Sequence, residues 1–131
     1  PAIYTEYLGS GHCSGEGVQA YVDGCLNVMG ELGMIEREAP ESRVEIVVED
    51  DRDGSGHMQV QNPSPITGQF TPAVSLGDRV APGDVLGHVA NVLGDDVREI
   101  VCTQSGHVLA IRTYPRVHEG DSVLVVMEDV D

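Results

Sequence analysis

The chain has 131 residues, of which 40% are apolar, and it sets 22 Asp and Glu against 7 basic residues for a formal net charge of −15. Every basic residue is an arginine, and no lysine occurs. A packed core is within reach of this composition, whereas phosphate-rich and anionic surfaces are repelled, which excludes nucleic acid and membrane surfaces as partners, and no apolar run is long enough to span a bilayer.

Residues 2–8, rich in β-branched and aromatic side chains, read as a strand with Tyr4, Glu6 and Leu8 on one face. A helix comes next, with Val18, Tyr21, Val22, Cys25, Leu26, Val28, Met29 and Leu32 at helical spacing. Ser14 is placed to cap its start, Glu16 lies in the first turn, and Gly33 stops it. Gly17, Gly24 and Gly30 each cost such a helix about 1 kcal/mol relative to alanine, so it needs a larger body to pack on. Residues 36–42 form a charged linker, which puts a domain boundary at 39/40. Strands are expected over residues 43–49 and 57–61, around an acidic turn at 50–56. Asp50, Asp51 and Asp53 do not make a calcium loop, because Gln61 stands where a glutamate is required.

An internal repeat occupies the rest, over about 64–90 and 101–127. Val80, Gly83, Asp84 and Leu86 recur at Val117, Gly120, Asp121 and Val123 with a constant offset. Each copy holds a strand, a glycine turn, a second strand and a V-x-x-G-D turn, in which glycine supplies positive φ and aspartate bonds the turn backbone. Gly94-Asp95-Asp96 between the copies reads as a hairpin tip. Two facing copies make a β barrel-sandwich of the biotinyl or lipoyl kind, with Val80, Leu86, Val89, Val108, Val117, Val123 and one of Val125 and Val126 inward. The carrier role of those domains needs a lysine and is therefore excluded.

The order of parts resembles the succinylglutamate desuccinylase/aspartoacylase family. The resemblance rests on T-E-Y-L-G-S-G near the start, the helix ending V-M-G-E-L-G-M-I, the run S-P-I-T-G-Q-F with L-G-D-R-V-A-P-G-D-V-L-G, and the closing R-T-Y-P-R-V-H-E-G-D. It implies a fold that is mainly β with one α-helix. Residues 1–39 would be the end of an α/β zinc-hydrolase domain, and residues 40–131 a C-terminal barrel-sandwich domain. It also implies zinc-dependent hydrolysis of the amide bond of a small N-acyl amino acid. Glu6 matches the family's general base, which must reach the attacking water without binding the metal. Arg112 and Tyr114 in R-T-Y-P are the candidate substrate-binding residues. No zinc ligands are assigned in this chain: it has no H-x-x-E, and His12, His57, His88, His107 and His118 show no ligand spacing. With Pro1 first, the chain reads as the C-terminal part of a longer enzyme, inactive as a fragment.

The structural reading of Glu6 is a strand carboxylate paired with arginine, and that of Tyr114 is packing over the barrel end. A non-catalytic barrel-sandwich module for assembly or active-site capping is the alternative from another class. Cys13, Cys25 and Cys102 match no zinc or redox spacing and fit free thiols in a reducing cytoplasm. The acidity fits either a high-salt environment or an ordinary cytoplasmic surface. The acyl group stays open among succinylglutamate-like, N-acetylaspartate-like and N-acetyl-diaminobutyrate-like substrates, as does assembly into a homo-oligomer.

Overall fold

The computed structural model describes residues 5–7, 9, 11–45, 47, 49, 51–54 and 61–129. The chain divides into two compact units, Pro1–Ile46 and Val47–Asp131. Among the described residues the first unit holds one helix and the second holds seven strands, so the protein is mainly β with a single helix.

Helix α1 spans Gly15–Glu31. Its first-turn amide at Gly17 donates to the Ser14 hydroxyl at 3.0 Å, which satisfies one of the donors a helix start leaves unpaired. At the other end Gly33 N–H donates to the Gly30 carbonyl and Met34 N–H to the Met29 carbonyl, both at 2.9 Å. This pair of bonds ties up the last free carbonyls just past the helix. The charged linker is irregular but attached: Arg37 donates to Asn27 Oδ1 at 2.7 Å and to Asp23 Oδ1 at 3.1 Å. The apolar stripe is largely uncovered, with Leu26 and Met29 half-buried. Val18, Tyr21, Val22, Val28 and Leu32 are all exposed, and Gly17 is the buried helix residue. The expected strand at residues 2–8 lies mostly outside the described residues, and residues 5–7 carry no strand pairing.

In the second unit the strands are β1 (Gly68–Pro72), β2 (Arg79–Val80), β3 (Val85–Ala90), β4 (Val97–Val101), β5 (Gly106–Ile111), β6 (Arg116–Val117) and β7 (Leu124–Glu128). They form two antiparallel sheets, ordered β4-β3-β1-β6 and β2-β5-β7. The pairing respects the two copies. β1 pairs β3 in the first copy as β5 pairs β7 in the second, and each copy lends its two-residue middle strand to the other's sheet, β6 to β1 and β2 to β5.

The local chemistry repeats as well. Asp84 Oδ2 accepts from Ala81 N–H at 2.8 Å, and Asp121 Oδ2 accepts from His118 N–H at 3.0 Å. Gly83 and Gly120, at φ +101° and +86°, make the turns that bring those carboxylates round. Gly68 and Gly106 sit where a strand crosses a neighbouring backbone. A Cβ on either would fall 2.0 Å from a carbonyl oxygen, that of Ala90 or that of Met127.

One apolar cluster is shared by both sheets: Phe70, Leu86, Val89, Ile100 and Val117 from one, Val80, Val108, Leu124 and Val126 from the other, with Cys102 and Val123. Val80, Leu86, Val89, Val108, Val117 and Val123 are buried as expected, and of the last pair Val126 faces in. Val123 and Leu124 are buried in succession, because Val123 lies just before β7; within the strand the alternation holds, with Leu124 and Val126 buried and Val125 between them less so.

The sheets are open: no pairing among the described residues joins one to the other, although they share one core, so what the strands show is two antiparallel sheets and not a closed barrel. The linking strands β2 and β6 are only two residues long, too short to carry a ladder across. The expected strand at 43–49 is irregular at its described positions, with Val44 and Val47 exposed; β-propensity without a partner makes no ladder. Of the strand at 57–61, residues 57–60 lie outside the described residues and Gln61 is a bend. From Gln61 to Pro63 the chain is tied to β7 and the residues just before it. Pro63 bridges Ser122, the Gln61 side-chain oxygen accepts from Val126 N–H at 3.2 Å, and Asn62 Nδ2 donates to the Leu124 carbonyl at 3.1 Å.

Candidate functional site

Glu6 is exposed in the irregular stretch before α1. Within this unit it lines an open, mostly apolar groove of about 770 Å³ with Tyr7, Tyr21, Cys25, Met29 and Met34. Tyr21 Oη donates to the Thr5 carbonyl at 3.0 Å, which ties the Glu6 segment to the helix. The groove is made by the bare side of the apolar stripe, so Glu6 sits at the edge of hydrophobic surface. On the same helix Asp23 accepts from Gln19 Nε2 at 3.0 Å, and this bond together with Arg37 holds its carboxyl below the ordinary value.

Arg112 and Tyr114 stand just after β5. The Arg112 guanidinium donates from Nε to the Tyr114 carbonyl at 3.2 Å, and its other end lies 3.4 Å from Asp121 Oδ2. It is thus half-buried and already engaged, while Tyr114 is 66% exposed at the tip of the loop that Arg112 closes. The two residues are close together but do different things: one braces the loop and the other is presented by it.

The histidines are dispersed. His88 faces Glu99 at 3.7 Å across β3 and β4, and His107 Nδ1 faces Asp129 at 3.8 Å. His57 lies outside the described residues. Among the described residues no three His, Cys, Asp or Glu side chains converge on a point that could hold a metal ion. Cys13 and Cys25 are exposed free thiols, and Cys102 is buried, its thiol 3.1 Å from the Gln104 carbonyl. No helix of the described residues is long and apolar enough to cross a membrane.

No family model and no curated protein matches the chain. Solved structures do. A succinylglutamate desuccinylase/aspartoacylase from Rhodobacter sphaeroides superposes with a TM-score of 0.68 at 29% identity, over 92% of this chain and 37% of its own. The ectoine utilization protein EutE (DoeB) from Ruegeria pomeroyi, solved with product bound, gives 0.70 at 26% identity, over 88% and 34%. A succinylglutamate desuccinylase from Silicibacter sp. TM1040 shares the fold, with a TM-score of 0.71 at 22% identity, over 88% and 34%. The chain therefore spans about a third of the length of these proteins, and the part it matches is their C-terminal region. The neighbours carry the resemblance to the succinylglutamate desuccinylase/aspartoacylase family that the motifs suggest. At the level of the class, the chain is similar to the C-terminal region of deacylase-type hydrolases.

Proposed function

We propose that the chain is the C-terminal part of a cytoplasmic amidohydrolase that cleaves the amide bond of a small N-acyl amino acid. The observation that carries this reading is the match over 92% of the chain to a succinylglutamate desuccinylase/aspartoacylase at 29% identity. Glu6 is the general base in this reading. It takes a proton from the attacking water and returns it to the leaving amine. The loop closed by Arg112 presents Tyr114 toward substrate. The family resemblance implies zinc, which would polarise the water and the scissile carbonyl. Among the described residues no zinc-holding set occurs, and no step is routed through the metal here.

The test uses a polypeptide extended on the N-terminal side of Pro1, assayed on N-succinylglutamate, N-acetylaspartate and N-acetyl-diaminobutyrate. Glu6→Gln should lower turnover by about 10²–10⁴-fold. Zinc content should not change, and KM should change much less than kcat. Near-normal turnover would make Glu6 a structural residue, and loss of zinc along with activity would make it a ligand. Either result overturns the assignment.

A further inference from the structure

The internal repeat exposes a vacancy. Counting 37 residues on from Arg79 in β2 gives Arg116 in β6, the same position in the second copy. Arg79 is opposite His107 in the β2–β5 pair, and Arg116 is opposite Gln69 in the β1–β6 pair. The two arginines thus occupy matching places in matching two-residue strands. Their neighbourhoods then differ. Arg79 is neutralised by Asp129, whose Oδ2 lies 2.7 Å from its guanidinium. The residue that corresponds to Asp129 in the first copy, 37 places earlier, is Val92, which is uncharged and 90% exposed.

Arg116 accordingly has no carboxylate partner among the described residues. In the same unit Arg52 is paired with Glu128, Arg79 with Asp129, Arg98 with Asp96 and Arg112 with Asp121. An unneutralised guanidinium is conspicuous in a chain of net charge −15. The loop leading to it breaks the repeat as well. In the first copy that loop is S-L-G-D, closed by Asp78 accepting from Ser75 N–H at 2.8 Å. In the second it is R-T-Y-P, closed instead by the Arg112 guanidinium. Tyr114 lies in the bend that leads into β6, exposed and two residues before Arg116.

We infer that Arg116, with Gln69 opposite it and the exposed Tyr114 two residues before it in the chain, is a carboxylate-binding subsite for a small dicarboxylate of the substrate or product class. The guanidinium fork matches a carboxylate through two parallel N–H···O bonds, and the Gln69 amide and the phenol add neutral donors. The ligand takes the place that Asp129 fills for Arg79. The choice of ligand rests on the amidohydrolase reading; the vacancy itself does not.

The experiment is a ¹H–¹⁵N chemical-shift titration of the chain with succinate, at constant ionic strength, against succinamide as the uncharged control. Saturable shifts are expected at residues 68–70 and 113–117 with succinate alone. Arg116→Gln should weaken the apparent Kd by at least about tenfold. Val92→Asp restores the missing partner and should abolish the shifts with Arg116 still in place. Asp129→Val should open a second succinate site around Arg79. Equal shifts with succinamide, or with sulfate replacing succinate, would overturn the inference, as would full binding in Arg116→Gln or Val92→Asp. Spectra of each variant without ligand report whether it is folded. Hydrolysis is not the readout, so an inactive extended polypeptide that still binds succinate sinks the amidohydrolase reading and not this one. Hydrolysis with no dependence on Arg116 and no succinate binding sinks this one alone.

Discussion

Glycine does opposite things at different positions of this chain. At Gly68 and Gly106 the missing Cβ is what lets one backbone pass another, since a methyl group would meet a carbonyl oxygen at 2.0 Å. Backbone cannot step aside as the end of a side chain can, so Gly106→Ala should destabilise the β unit by about 1–3 kcal/mol or more. Gly24 in α1 is the converse case, with nothing within 4 Å of the place a methyl would take. Gly24→Ala should raise helix stability by about 1 kcal/mol. Thermal denaturation followed by circular dichroism separates the two: one substitution lowers the midpoint, and the other raises it. Asp23 offers a titration at the same scale. Its carboxyl is held low chiefly by the Gln19 amide and then by Arg37. A lowered folded value favours the charged form, so this contribution is present above the unfolded value and lost as pH falls through the folded one. Gln19→Ala should move the Asp23 midpoint upward in a ¹³C-detected NMR titration, and an unmoved midpoint would show that the bond is not made in solution.

At the scale of elements, the two V-x-x-G-D turns can be compared directly because the scaffold is common to both. Asp84 bonds one backbone amide, at Ala81. Asp121 bonds the equivalent amide at His118 and also faces the Arg112 guanidinium. Asp121→Ala should therefore cost more than Asp84→Ala, each loss being on the order of 1 kcal/mol per bond, with the arginine pair adding up to about 1 kcal/mol more. Urea unfolding of the two variants at one pH checks this; equal midpoints would mean that the Arg112 contact carries no stability. These turns are legible in the sequence alone, because glycine and aspartate at fixed offsets have a local mechanism. So are the ends of α1, where Ser14 and Gly33 act on neighbouring backbone. The pairing of strands is less legible. Nothing local says that β6 joins β1 and β2 joins β5, and that Val123 is buried from just outside β7 depends on where that strand begins. The strand expected at 43–49 has the right residues and, at its described positions, no strand pairing. At the candidate site, Glu6, Arg112 and Tyr114 come from resemblance to a family. That Arg112 is occupied, while Arg116 is not, depends on where Asp121 and Asp129 end up, which no motif states.

For the molecule as a whole the dominant fact is charge. A net −15 on 131 residues sets carboxylates against one another. Most of the arginines that could offset this form exposed or half-exposed ion pairs, such as Arg98 with Asp96 at 2.6 Å and Arg52 with Glu128 at 2.9 Å. Pairs of that kind contribute about 0–1 kcal/mol each, and salt weakens them. The same salt also screens the repulsion, which involves many more charges over longer distances and so gains more from screening. The two effects have opposite signs, and the repulsion is the larger. The thermal midpoint should therefore rise with sodium chloride. The range over which it rises separates the two sources of acidity. Simple screening is largely complete by about 0.15 M, where the Debye length is about 8 Å, down from about 30 Å at 0.01 M. A surface adapted to high salt keeps gaining stability into the molar range. A midpoint that rises at low salt and then levels off is the outcome for an ordinary acidic surface, and one still climbing above about 1 M is the outcome for a high-salt protein. A midpoint that falls as salt is first added would mean that the ion pairs outweigh the repulsion, and the charge argument would be wrong in sign.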